Sequence, residues 1–473
     1  MKGESRIPEH EDINELLTAY EKLRSGKGSA FLSEESFERI IDHFDDQDAI
    51  NRAIEAAEIG ILQFPFSASL LVKKADLLIA SRQYKKALAL LDKAQILDSN
   101  DIDIYILRTD AYLALDMQAK AVELLEEALL QFEGEERIDL LFELADVYDD
   151  YEEFEKIFDC LKLILEYDPN NEEALYKICF WTDFTGRNEE SIRLHLEIID
   201  AFPYNELAWF NLAAAYQGLR LFEKAIDAYQ YAIAINEKFD YAFRNMADAF
   251  MRLHRYKEAI EALEKVIELA RPEDVIYQAI GYCYEKIKNY AQARFYYRKA
   301  SHLNPDDAKL YVKVAGTYMK ESKYSSAIKY LDMALRIKRL DPEFNLIMGE
   351  CLVKTGKSKD AIHYFLAAVQ SKPRSLKGWE SLIRTLFEAG QYPDAEKYVE
   401  QARLRVGDKP ILGFYQSAIL LAMGKIKEGM KLLESSSEKN PRQLKSFLKL
   451  YPSSVKHTQV VELILRYKRR RRL

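Results

Sequence analysis

The side chains that could do chemistry in this chain are seven histidines, four cysteines and a large stock of carboxylates. No HExxH places two imidazoles one turn apart for zinc, and no CxxC pairs two thiols for metal or redox work. Cys179, Cys283 and Cys351 fall where a small hydrophobe is expected in the repeat described below. The RSGKGS stretch at residues 24–29 lacks the GxxxxGK[ST] spacing that cradles phosphate and reads as a linker. The KRRRR run at residues 468–472 could touch nucleic acid, acidic lipid, an import receptor or the chain's own acidic part. Abundant carboxylates on helical faces serve solubility more often than acid–base pairing. The reading is therefore of a protein that is not an enzyme, with no cofactor and no metal.

What must position these side chains is almost entirely helix. The 473 residues include only 17 glycines and 12 prolines, too few turn-formers for an all-β chain. Hydrophobic residues at 48% can bury a large core, which argues against disorder. Four cysteines are no disulfide framework, no apolar run approaches about 18 residues, and MKGESRIPEHEDIN has no signal-peptide character. The expectation is a cytoplasmic protein with no transmembrane segment. The net charge of −9 hides an asymmetry: residues 1–170 hold 18 basic and 39 acidic residues, the remainder 50 basic and 38 acidic. Such sorting points towards partners rather than fold.

An internal repeat organises the chain. Ala225, Ala259, Ala293, Ala327, Ala361 and Ala395 recur every 34 residues. Upstream the ladder continues through Ser191, Ile157, Ala121, Ala87 and Ala53, with one insertion of two residues, and downstream to Gly429. Around each rung apolar residues recur at spacings of three and four, as in Trp209, Leu212, Ala213 and Tyr216 followed by Ala225, Tyr229 and Ala232. Two amphipathic helices per unit follow. Prolines punctuate the frame: Pro65, Pro169, Pro203, Pro305, Pro373 and Pro441 fall in one inter-repeat turn. Pro272, Pro342 and Pro410 lie within three residues of it, and Pro393 at the first turn of a second helix.

These units resemble the tetratricopeptide repeat, with its 34-residue period and W-x2-L-G-x2-Y…A-x3-F pattern. Twelve copies start near Glu34, Ala68, Ile102, Ile138, Glu172, Glu206, Asp240, Asp274, Ala308, Pro342, Leu376 and Pro410. The expected fold is all-α, an α-α superhelical solenoid over residues 34–443. Residues 1–33 read as a flanking helix at 12–24, with Asp12 as N-cap, and a linker. Residues 444–473 read as capping helices, at 443–450 and 454–467, with a basic tail; Val460, Val461, Ile464 and Tyr467 would cover repeat twelve. His195, His302 and His363 fall on second helices, the outer layer of such arrays, and His254 in an intra-repeat turn.

The resemblance implies a concave groove lined by first helices at the second, fifth, ninth, twelfth and thirteenth places. Repeats one to four then offer acids, among them Glu38, Asp42, Asp45, Asp46, Asp76, Asp110, Asp146, Asp149 and Asp150. Repeats five to seven offer Tyr176, Phe180, Phe184, Phe210 and Tyr241. Repeats seven to eleven offer bases, including Arg244, Arg252, Lys309, Lys320 and Arg384, with Lys313 on the sixth place. Asn211 and Asn245 share that sixth place and could bond a peptide backbone. Some members of the family clamp a C-terminal carboxylate with Lys, Asn, Asn, Lys and Arg. Here Arg244, Lys309 and Lys313 take the basic places, but Asp248 and Ala279 take the asparagine places. Asp248 would repel a carboxylate and pair with a neighbouring cation instead.

The function implied is a non-enzymatic scaffold or adaptor whose groove binds protein or peptide segments, the charges fixing direction. A nucleic-acid-binding solenoid using the basic half is the alternative, disfavoured by the acidic first third. Self-association, acidic end to basic end, is a further partner class.

Overall fold

The computed structural model describes residues 13–25, 31–271 and 273–470, with side chains to 466. Asp12 as an N-cap, most of the 24–29 linker, Pro272, the side chain of Tyr467 and the end of the basic tail lie outside the described residues. The fold is all-α, and among the described residues there is no strand. The chain divides into two units, Met1–Glu237 and Lys238–Leu473. The first carries 23 Lys and Arg against 50 Asp and Glu, a net charge of −27, and the second a net of +18.

Twelve helical pairs follow one another. In the first unit, repeat one pairs Glu34–Asp45 with Ile50–Gln63, and repeat two Ala68–Ala80 with Tyr84–Leu97. Repeat three pairs Ile102–Ala114 with Gln118–Ala128, and repeat four Gly134–Asp150 with Phe154–Tyr167. Repeat five pairs Glu172–Thr185 with Asn188–Ala201, and repeat six Glu206–Gly218 with Phe222–Ile235. In the second unit, repeat seven pairs Asp240–Arg252 with Tyr256–Leu269, and repeat eight Asp274–Lys286 with Tyr290–Leu303. Repeat nine pairs Ala308–Lys320 with Tyr324–Ile337, and repeat ten Pro342–Lys354 with Ser358–Ser371. Repeat eleven pairs Leu376–Glu388 with Tyr392–Val406, and repeat twelve Pro410–Ala422 with Ile426–Lys439.

Local chemistry sets both ends of these helices. Ser33, Ser67, Asp101, Asn171, Asn205, Asp307, Asp341 and Ser375 each accept a hydrogen bond from a backbone N–H in the first turn of a first helix. Between the two helices of every repeat one residue turns left-handed, at the same place each time. Glycine occupies it at 186, 356, 390 and 424, where no Cβ opposes the positive φ. Asp48, Arg82, Asp116, Glu152, Arg220, His254, Lys288 and Ser322 occupy it elsewhere and carry the strain. The alanine rungs lie at the closest approach of the two helices; Ala53, Ala87, Ala121, Ala225, Ala259, Ala293, Ala327, Ala361 and Ala395 are all fully buried.

Within each unit, each second helix packs on its own first helix and on the first helix of the next repeat of that unit. In the first unit, neighbouring first helices also pack on one another in repeats one to four and again from five to six. Neighbouring second helices have no comparable contact. First helices thus form the inner layer and second helices the outer.

Repeat four departs from the expected start at Ile138. Its first helix begins a turn earlier, at Gly134, whose φ of +68° only glycine adopts without strain. The two inserted residues are absorbed there and by a second helix of repeat three that stops at Ala128. At the N-terminal end, Leu16 and Tyr20 of the helix Ile13–Arg24 are buried, and Tyr20 meets Phe44 edge-on at 5.8 Å. At the other end, Leu444, Phe447, Val460 and Leu463 join the core of the last repeats. Ile464 packs beside them, whereas Val461 is exposed. The expected helix at 454–467 is two pieces, a 3-10 turn at Pro452–Lys456 and an α-helix at Thr458–Arg470. Among the described residues no helix is long and apolar enough to cross a membrane.

Candidate functional site

The candidate groups for covalent chemistry are placed against it. Cys160, Cys283 and Cys351 are buried, and Cys179 nearly so; burial pushes the thiols up to about 12, 12, 11 and 11 respectively. His195 lies on a second helix, as expected, but on the face of that helix turned inward. It is fully buried, its Nδ1–H donates to the Ser191 carbonyl at 2.7 Å, and burial lowers its pKa to about 4. The second helix of repeat five turns this face onto its neighbours, not to water. Among the described residues no group of three or more His, Cys, Asp or Glu is arranged to hold a metal ion.

The inner layer of the first unit carries the main feature. Asp42, Asp76, Asp110 and Asp146 occupy one place, the ninth, in four successive first helices. Asp42 is neutralised by Lys73, whose Nζ lies 2.5 Å away, and Glu38 accepts from the Ser69 hydroxyl. Beyond them the cations thin out. The Asp76 carboxyl is raised by burial and then by Asp45, and that of Asp110 by burial and Asp76. Glu143 is pushed up to about 7, first by burial and then by Asp110, Asp146 and Asp150. Asp146 is raised by burial, opposed by Lys177 and reinforced by Asp149 and Asp150. One carboxylate after another feels its neighbour, from Asp45 to Asp150.

Helix geometry adds to this crowding. Asp45 ends the first helix of repeat one and Asp46 caps it, while Asp149 and Asp150 end that of repeat four. Carboxylates there face the negative end of the helix dipole, an arrangement that a bound cation would relieve. Sequence reasoning missed Glu143. It stands on the sixth place, where Lys73 and Lys177 also stand, and that place had been applied only to Asn211, Asn245 and Lys313.

Next to the acids lies an aromatic platform on the first helix of repeat five. Tyr176, Phe180 and Phe184 are each more than half exposed. Phe180 and Phe184 stack at 5.9 Å, and Phe184 meets Phe154 edge-on at 4.8 Å. Lys177 stands between platform and acids, paired to Glu173 at 2.8 Å and 4.8 Å from the centre of the Phe142 ring. Phe210 is half-buried and packs on Tyr229 at 5.6 Å. Asn211 is withdrawn from any groove, since it is buried and its amide donates to the Leu175 carbonyl. Its expected role in holding a peptide backbone is therefore corrected to a structural one.

In the second unit the expected bases are less bare than the acids of the first. Arg244 pairs with Glu273 at 2.9 Å and lies over the exposed Tyr241 ring. Asp248 pairs with Arg252 at 3.4 Å, the pairing foreseen for it, and Lys377 with Glu350 at 3.3 Å. Lys313 donates to the Gln278 side chain at 2.6 Å, and burial lowers its pKa. With Asp248, Met251, Arg252, Gln278, Ala279 and Tyr282 it lines a cavity of about 300 Å³. Of the clamp-like set, Arg244, Asp248 and Lys313 are thus tied up internally. Asn245 is half-buried, whereas Lys309, Lys320 and Arg384 are exposed.

Comparison with known families matches this geometry. A family model described as the tetratricopeptide repeat protein 21 C-terminal ARM domain matches residues 210–356, and a tetratricopeptide repeat model matches 346–410. The chain is built of tetratricopeptide repeats. This tetratricopeptide-repeat protein is similar to several solved structures. One is YrrB, a TPR protein with an unusual peptide-binding site (15% identity, TM-score 0.35, 40% of this chain and 96% of that one). A second is the APC/C hetero-tetramer Cut9-Hcn1 (12%, 0.33, 85% and 99%). A third is the C-terminal part of a TPR repeat-containing protein from Cytophaga hutchinsonii (16%, 0.43, 54% and 99%). No curated protein matches the sequence.

Proposed function

We propose that this tetratricopeptide-repeat protein is a non-enzymatic scaffold that holds partner proteins by segments lying along its first helices. In the first unit the segment is basic and carries an aromatic or aliphatic anchor. The observation that carries this reading is the run of carboxylates from Asp76 to Asp146, raised by burial and then by neighbouring acids, and set beside exposed Tyr176, Phe180 and Phe184. Arginine or lysine would remove like-charge repulsion, and its side chain can also stack on the rings. The apolar anchor supplies affinity, while the charges set the direction of the segment and speed the encounter. Cysteines held protonated by burial fit a binding rather than a catalytic protein.

The test is fluorescence anisotropy with a labelled 15-residue Arg- and Lys-rich peptide bearing one phenylalanine, against the same peptide with Glu and Asp instead. The basic peptide should bind with strong salt dependence, and Phe180→Ala with Phe184→Ala should weaken it. Equal binding of both peptides would remove the reading.

A further inference from the structure

A second surface lies on the other layer of the first unit. Leu62, Ile96 and Leu130 are 34 residues apart; Leu62 and Ile96 stand at the C-terminal ends of the second helices of repeats one and two, and Leu130 in the turn just past the end of that of repeat three. They are 83%, 85% and 89% exposed, among the barest large hydrophobic side chains in the molecule. The same place elsewhere holds Glu166, Asp200, Glu268 and Arg336 among others, and Leu404 stands there alone, between Gln370 and Glu438. Single exposed leucines are ordinary, but three in register on neighbouring repeats form a row. One helical turn earlier runs a parallel row of acids, Glu58, Asp92 and Glu126, also spaced by 34. Glu58 touches Lys74 at 3.0 Å and Asp92 touches Arg108 at 3.2 Å, yet both carboxylates remain more than half exposed. Four residues separate the rows, about 6 Å along the helix axis in repeats one and two.

We infer that this double row docks an amphipathic helix, its apolar face on Leu62, Ile96 and Leu130 and its basic flank on Glu58, Asp92 and Glu126. A helix fits because one face can meet both rows at once, whereas a strand turns alternate side chains away. The flank is basic because the facing row is acidic and the whole unit carries −27. A second copy meeting the row face to face would set acids against acids. The site is independent of the inner layer, where the first helices carry the acids and rings described above.

The experiment uses the full chain and a labelled helical peptide with leucines along one face and lysines flanking them. Ile96→Glu should weaken the peptide at least tenfold, and Leu62→Glu with Leu130→Glu should do the same. Every protein in the comparison carries Asp149→Asn with Asp150→Asn, which lowers the inner-layer charge that the same lysines would otherwise meet. Circular dichroism melts establish that each variant is folded. Unchanged binding in both outer-row variants would overturn the assignment. A concentration-dependent dimer in light scattering that Ile96→Glu abolishes would also overturn it, in favour of a second copy.

Discussion

Asn211 donates its side-chain amide to the backbone carbonyl of Leu175 at 2.7 Å, tying the first helix of repeat six to that of repeat five. Those two helices pack together more extensively than the two helices of repeat five do with each other. Asn211 is a stitch where the intra-repeat contact is weak. Asn211→Ala should cost about 1–2 kcal/mol of stability in chemical denaturation, since a buried amide bond is lost. Its effect on peptide binding should be small. A stability-neutral variant with impaired binding would return Asn211 to the groove.

His195 gives the first unit an acid-sensitive point. Its place is filled by Tyr229, Tyr297 and Phe365 or by Leu263 and Leu331 in other repeats, so an imidazole sits where an apolar side chain belongs. Nε2 has no protein partner, and burial lowers the pKa from 6.5 to about 4. The unfolded chain therefore takes up the proton first as pH falls. The contribution is whole above pH 6.5 and is lost progressively towards pH 4, on the order of 3 kcal/mol in all. His195→Leu should flatten this part of the pH–stability curve, measured by thermal melts between pH 7 and 4.

Glu143 works in the opposite sense. Its folded pKa of about 7 lies above the ordinary glutamate value of 4.5, so the folded state binds the proton first. Its contribution to stability is greatest at low pH and fades as pH rises through 7. Glu143→Gln should raise the melting temperature at pH 8 and make little difference at pH 5. A lower melting temperature at pH 8 would mean that the carboxylate is paired, not crowded.

Small residues at the helix crossings are required by contact. A Cβ on Gly349 would come within 2.5 Å of the Phe365 ring, and one on Gly281 within 2.6 Å of Tyr297. Gly349→Val should destabilise the second unit by about 1–3 kcal/mol, through overpacking. Equilibrium urea unfolding measures this. A neutral result would show that the ring swings aside freely.

The sequence made the architecture legible because a repeat averages over local ambiguity. The alanine rungs locate the closest approach of each helix pair, and the capping Ser, Asp and Asn residues locate the starts. The insertion near repeat four was visible as two extra residues. Its place was not, because Gly134 lets the helix begin early and the start shifts by a turn. The acids and rings of the inner layer were legible as residue types at fixed places. Pairing was not, since a period of 34 does not say whether Lys73 reaches Asp42 or Arg244 reaches Glu273. Burial of Asn211 was hidden for a related reason, since its place is half-buried at Asn245, whereas that of His195 was open to reading from the apolar residues at its place in the other repeats.

The most direct test of the account is isothermal titration of the Arg- and Lys-rich peptide into the wild type and into a variant with Asp45, Asp46, Asp149 and Asp150 all changed to Lys. Lysine suits helix C-terminal ends better than aspartate does, so the variant should fold. The account predicts affinity weaker by at least about tenfold in the variant, with the salt dependence largely gone. Equal affinity for both proteins would contradict it.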